Sequence, residues 1–222
     1  MKKILWISVA LTFIFSPSLS SESNKDDTID FIYTGNREWK FSVKRTNAES
    51  TDTIILKVIK PEHGGDKAFK WLLITFDSTL SKNIIDFAQT EITKNGDESS
   101  NIEIPSPSIR YFKFTALIPS PEVRLPLYIG YSKSSKVTIK MSNVEEFKGV
   151  TYTGKIKVTG KIYYNNPIIK DNCWVLNDIG ESSLGTYKAK YYFHEKFGFV
   201  YLYYDFIKYQ IEMELISLKN FE

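Results

Sequence analysis

Residues 185–217 read GTYKAKYYFHEKFGFVYLYYDFIKYQIEMELIS, and they alternate with the period of a β-strand. Glu195-Lys196-Phe197-Gly198 separates two runs, 187–194 and 199–206. A four-residue loop there sets residue i opposite residue 393 − i. Tyr187, Ala189, Tyr191 and Phe193 then share one face with Val200, Leu202, Tyr204 and Phe206. Successive strand residues point to opposite faces, so this face is wholly apolar or aromatic. The other face pairs Lys188 with Asp205, Lys190 with Tyr203, Tyr192 with Tyr201 and His194 with Phe199. It offers an ion pair, a cation–π pair and an aromatic pair. A tight turn at Ile207-Lys208 adds a third strand, 209–217. Ile211, Met213 and Leu215 extend the apolar face, and Glu212 and Glu214 extend the polar one beside Tyr203 and Tyr201. A one-residue slip would bury both glutamates, so two hairpins agree on one register.

Upstream, the same period recurs. Trp39, Phe41 and Val43 alternate with lysines and serine, as do Val137, Ile139 and Met141. Residues 150–164 alternate throughout, with Gly154 and Gly160 on the apolar face. Glycines there indicate a bend, or a bulky group crossing from elsewhere. Runs 53–59 and 69–76 are more continuously apolar, and a strand is expected at 109–118 between prolines. Leu80, Ile84, Phe87, Ala88 and Ile92 recur at helical spacing, before a stop at Asn95-Gly96. They predict one helix over 79–94. The expected fold is mainly β: an antiparallel meander forming a curved sheet, half-barrel or sandwich, with about one helix (79–94).

The N-terminus reads as an address. Lys2 and Lys3 precede an apolar run from Ile4 to Phe15, then Pro17 and Ser18-Leu19-Ser20. This is the layout of a secretory signal peptide cleaved near Ser20, and the run is too short to span a bilayer. Residues 21–222 are then a single mainly-β domain, with two lobes divided near 143–149 as the alternative, and no later stretch is long enough for a transmembrane segment. The protein is expected to be exported by its signal peptide, periplasmic or secreted, and bacterial. The 222 residues include 29 basic and 26 acidic residues, net +3, but Lys2 and Lys3 leave with the signal and the remainder carries +1. Nucleic acid is excluded as a partner, because it requires a basic patch. One cysteine, Cys173, allows no internal disulfide and reads as a small buried hydrophobe.

Chemistry is sparse. His63-Gly64-Gly65 resembles the oxyanion loop of lipases, but Gly180-Glu181-Ser182-Ser183-Leu184-Gly185 is one residue too long for a nucleophile elbow. His194 reads as a surface histidine stacked on Phe199. No metal-ligand spacing and no phosphate-binding glycine loop occurs, so no catalytic residue, metal or cofactor is assigned. What remains is aromatic content. Tyr192, Tyr201 and Tyr203 project together on the polar face and are the candidate ligand-binding residues, able to stack on sugars or peptides. The alternative is that they stabilise the sheet as cross-strand pairs.

Five short stretches, Cys173-Trp174-Val175-Leu176, Glu181 to Gly185, Tyr191-Tyr192-Phe193, Phe197-Gly198-Phe199-Val200 and Ile211 to Leu215, carry a further likeness. Together they resemble exported bacterial proteins of unknown function built on a curved antiparallel half-barrel sheet, similar to that of periplasmic lipoprotein carriers. The resemblance implies helices over the concave face, a place the 79–94 helix would fill. The functional expectation is an exported, non-catalytic binding protein for an unknown ligand or protein partner. One alternative is a carrier of lipid or lipoprotein acyl chains, in an apolar cavity lined by Tyr191, Leu202 and Met213. Another is an exported hydrolase.

Overall fold

The computed structural model describes residues 32–33, 35, 37–46, 48, 50–59, 67–76, 82–92, 101–107, 109–140 and 144–220. The expected export signal, 1–20, and His63 lie outside them.

The protein is mainly β. Strands β1 (Arg37–Arg45), β2 (Asp52–Ile59), β3 (Lys67–Phe76) and β4 (Lys82–Ile92) form one antiparallel meander. Two short strands, β5 (Asn101–Glu103) and β6 (Glu122–Arg124), pair only with each other. A second meander follows: β7 (Ser132–Thr138), β8 (Thr151–Asn165), β9 (Lys170–Ser182), β10 (Gly185–His194), β11 (Gly198–Asp205) and β12 (Gln210–Asn220). The first strand pairs antiparallel with the last, which joins the meanders into one sheet of ten strands, ordered β4-β3-β2-β1-β12-β11-β10-β9-β8-β7.

The C-terminal register follows the alternation. Lys188 faces Asp205 and Tyr192 faces Tyr201, and β12 sets Ile211 beside Tyr204 and Met213 beside Leu202. A bulge after Tyr192 then moves His194 onto Gly198 instead of Phe199. Gly198 takes φ +76° and lies where a side chain would meet the Tyr33 ring, so glycine is required twice over. In β8, Gly160 lies beside a register shift, the bend expected of so long a strand.

Two elements differ from expectation. The 79–94 helix is absent at 82–92, where the backbone is strand β4, paired along the whole length of β3. Without β4, the apolar β3 would present a row of unpaired backbone donors and acceptors, a demand that outweighs local helical spacing. The expected strand at 109–118 is instead a 3-10 helix, Arg110–Leu117. Ile109, Phe112, Thr115 and Ile118 are buried there at a spacing of three, and Leu117 is buried beside them. That three-residue spacing is the period of a 3-10 turn, in which such side chains eclipse.

This 3-10 helix belongs to a strap, residues 101–107 and 109–126, that lies over the core face of the sheet where the 79–94 helix was expected. Trp71 donates its indole N–H to the Pro105 carbonyl at 2.7 Å. Tyr111 donates to Asp52, which pairs with Arg45 at 3.2 Å, and the Arg45 guanidinium sits over the Tyr111 ring. A Cβ on Gly180 would lie 2.2 Å from the Leu117 carbonyl oxygen, and one on Gly154 would lie 2.1 Å from the Pro119 ring. Gly154 and Gly180 are register partners, so together they form the notch through which the strap crosses. Between sheet and strap lies an aromatic core that includes Trp39, Phe41, Trp71, Phe112, Tyr191 and Tyr204.

Candidate functional site

The three tyrosines share the face opposite the core. Tyr192 and Tyr201 stack at 4.6 Å with planes 22° apart. Tyr201 donates its hydroxyl to Glu212 at 3.1 Å, and burial followed by the Glu212 charge raises its pKa. Tyr203 faces Glu212 and Lys190 in register but stays outside the ring cluster. Lys190 sits 5.6 Å over Tyr192 instead of Tyr203. Lys188 and Asp205, though opposite, form no ion pair; Asp205 accepts from Gln210.

What covers the pair is not legible in the local alternation. The tip of the β8–β9 hairpin folds back across this face. Tyr164 stands edge-on to Tyr192 at 5.3 Å and to Tyr201 at 6.2 Å. Its hydroxyl and the Asn166 amide both donate to one Glu214 oxygen, and Asn166 also donates to the Leu215 carbonyl. The Asn166 side-chain oxygen accepts from the Ile168 N–H, so this buried amide is fully used. The Tyr192–Tyr201 pair is thus roofed by the chain's own hairpin.

His194 is buried, not a surface group. Its Nδ1 accepts the Lys196 N–H, its Nε2 lies 3.3 Å from Asp171, and its ring packs on Phe197 at 4.6 Å instead of Phe199. The bulge that moved it off Phe199 is the cause. Cys173 is fully buried, and desolvation pushes its thiol up to about 12. Ser182 ends β9 in a β-hairpin facing Gly185, which is no strand-to-helix elbow. Among the described residues, no group of three histidine, cysteine or acidic side chains could hold a metal, and no helix is long and apolar enough to cross a membrane.

The acyl-chain cavity expected at Tyr191, Leu202 and Met213 is filled. All three have 0% exposure, so not even a water-sized void borders them. Tyr191 meets Phe199 and Tyr204 edge-on. The strap takes the place that a ligand would need.

An open cleft does exist at one end of the sheet. It holds about 420 Å³ and is lined by Phe114, Leu184, Tyr187, Phe206, Ile207 and Tyr209, with Lys113, Glu146 and Lys208 also at its wall. Phe114 of the strap lies within 6.0 Å of the rings of Tyr187, Phe206 and Tyr209, and near Phe147. Tyr209 donates to the Tyr111 carbonyl and Tyr187 to the Leu184 carbonyl, which fixes both rings. Lys113 and Glu146 pair at 3.5 Å across the mouth. Sequence reasoning placed Tyr187 and Phe206 in the core. It missed the cleft, because Phe114 and Glu146 come from segments that the topology alone brings there.

No family model matches the chain, and no curated protein matches it. Among solved structures it is similar to a β-barrel-like protein of a domain of unknown function from Brucella abortus, at 6% identity and TM-score 0.46, over 84% of this chain and 98% of that one. It is also similar to a candidate lipoprotein from Parabacteroides distasonis, at 10% identity and TM-score 0.45, over 86% and 99%. A candidate exported protein with a YmcC-like fold from Bacteroides fragilis matches at 10% identity and TM-score 0.43, over 86% and 98%.

Proposed function

We propose that the chain is an exported protein that acts by binding, not catalysis, and that its ligand occupies the aromatic cleft beneath Phe114. The observation that carries this reading is the cleft itself: about 420 Å³, walled by four aromatic rings, with a lysine–glutamate pair at its mouth. Ligand sites are typically concave and mostly apolar, with a few polar groups that fix orientation. Flat rings suit a sugar ring or another planar apolar face, and Lys113, Lys208 and Glu146 would orient its polar groups. The buried thiol and the fully engaged His194 support binding over hydrolysis, since neither is presented to a substrate.

The test is native mass spectrometry of small molecules retained by protein purified from its own host. Wild type is expected to retain a ligand that Phe114→Ala and Tyr209→Ala lose. Equal retention by the variants overturns the cleft, and turnover of generic esters or glycosides that His194→Ala abolishes overturns the non-catalytic reading.

A further inference from the structure

The outer face of β8–β10 collects lysines that the sequence scatters. Lys155 faces Ile179, which faces Lys188; Lys157 faces Asn177, which faces Lys190. The alternating neighbours Ile156, Val158, Ala189 and Tyr191 are buried, so all four lysines project away from the core. Strand geometry sets the two lysine columns about 10 Å apart and the two rows about 7 Å apart. None of the four ammonium groups has a carboxylate at ion-pair distance among the described residues, while Lys57, Lys113, Lys133 and Lys148 each do. The acids on the same face are Glu181, one row along β9, Asp205, whose carboxylate takes the Gln210 amide, and Glu212, which lies across Tyr203 from Lys190 and accepts from Tyr201. Lys136 on β7 lies beyond, opposite Thr153. Between Lys155 and Lys188 sits Ile179, 41% exposed.

We propose that this face docks on a lipid surface rich in anionic headgroups, with Lys155, Lys157, Lys188 and Lys190 as the charge-bearing contacts and Ile179 as the apolar one. The reasoning is charge complementarity and shape. Beyond the expected signal the chain carries only +1, so four lysines together are a local asymmetry and not the by-product of a basic protein. The rows lie within a Debye length and the columns about one Debye length apart at roughly 0.1 M salt, so the four act on a partner as one patch. A polyanionic strand is held in a groove that tracks its backbone. This array is a two-dimensional lattice of point charges around one aliphatic group, which suits headgroups in a plane. The surface is separate from the aromatic cleft and does not depend on it.

The test is co-sedimentation of the full chain with vesicles of phosphatidylcholine containing ~30% phosphatidylglycerol, which supplies the anionic surface. Binding is expected to these vesicles, not to pure phosphatidylcholine, and to fall with added salt. Each Lys→Gln change should weaken it roughly five-fold, and the quadruple variant K155Q/K157Q/K188Q/K190Q roughly several hundred-fold. A control, K40Q/K44Q/K148Q/K219Q, removes the same charge elsewhere and should bind within a few-fold of wild type. Equal loss in both variants, no loss in the first, or wild-type binding to inorganic polyphosphate with none to vesicles overturns the proposal.

Discussion

At the residue scale, Gly154, Gly160 and Gly180 separate two reasons for a glycine in a strand. Alternation placed the first two on the apolar face, with a bend or a crossing group as the cause, and each cause applies to one of them. Gly160 has nothing within 4 Å of a Cβ and lies at the register shift; Gly154 and Gly180 are notches for Pro119 and Leu117. Gly180→Ala therefore drives a methyl into backbone that cannot rotate away, at a cost of about 1–3 kcal/mol. Gly160→Ala should be neutral, or stabilise by up to about 1 kcal/mol through the unfolded chain. Urea midpoints check both, and equal effects would mean that the strap does not rest on Gly180. Two positions along the same strand face, Asp178 is 1% exposed, with no well-aligned donor to either carboxylate oxygen. Desolvation raises it from 3.8 to about 8, with the Ile179 N–H offsetting little and Glu122 adding to the rise. The native state thus keeps a proton that the unfolded chain releases above about pH 4. Stability from this group is greatest at low pH, falls as pH climbs from about 4 to about 8, and levels beyond. Tyr191, Tyr204 and Tyr152 also feel the Asp178 charge, but their own pKa values are raised, so they stay neutral in that window. Asp178→Asn mimics the protonated acid and should flatten the urea midpoint between pH 5 and 9; a slope equal to that of wild type would sink this account.

At the element scale, the β8–β9 hairpin tip acts through one side chain. Asn166 donates to Glu214 and to the Leu215 carbonyl while accepting from Ile168. Asn166→Ala takes a donor from the buried Leu215 carbonyl and leaves Glu214 with the Tyr164 hydroxyl alone, at a cost of about 1–3 kcal/mol. Hydrogen exchange of residues 164–169 should speed up, while β2 and β3 stay protected; uniform acceleration would show that the tip is no separate latch. The legible elements were those whose period and partner lie close in sequence. Tyr187 to Leu215 could be put in register because two tight hairpins supply both partners and burying Glu212 forbids a slip. The 79–94 segment was misread because its apolar positions fit a helix face as well as a strand, and the backbone demand of β3 lies outside the segment. The hairpin tip was invisible for a related reason. Nothing in Tyr164-Asn165-Asn166 announces that it meets Glu214, nearly fifty residues away. The candidate tyrosines were correctly gathered on one face, but their exposure depends on that distant roof.

At the scale of the whole molecule, the decisive contact is β1 against β12, which brings the two ends of the described chain together in the middle of the sheet. A single domain over 21–222 predicts that the halves melt together, whereas two lobes divided near 143–149 would melt apart. Near 143–149, β7 pairs antiparallel with β8, and the Ile139 N–H donates to the Val150 carbonyl beyond the strand ends. Leu56 in β2 is buried in the first meander and Cys173 in β9 is buried in the second. Leu56→Ala should cost about 2–5 kcal/mol. Cys173 reports on the other half, because a thiol raised to about 12 by burial is inert until its strand opens. If the seam couples the meanders, Leu56→Ala lowers the urea midpoint for Cys173 labelling by as much as it lowers the loss of β circular dichroism. The two probes then trace one transition. If Cys173 stays protected to the wild-type midpoint while part of the dichroism is lost early, the seam is a contact between lobes, and the single-domain reading fails.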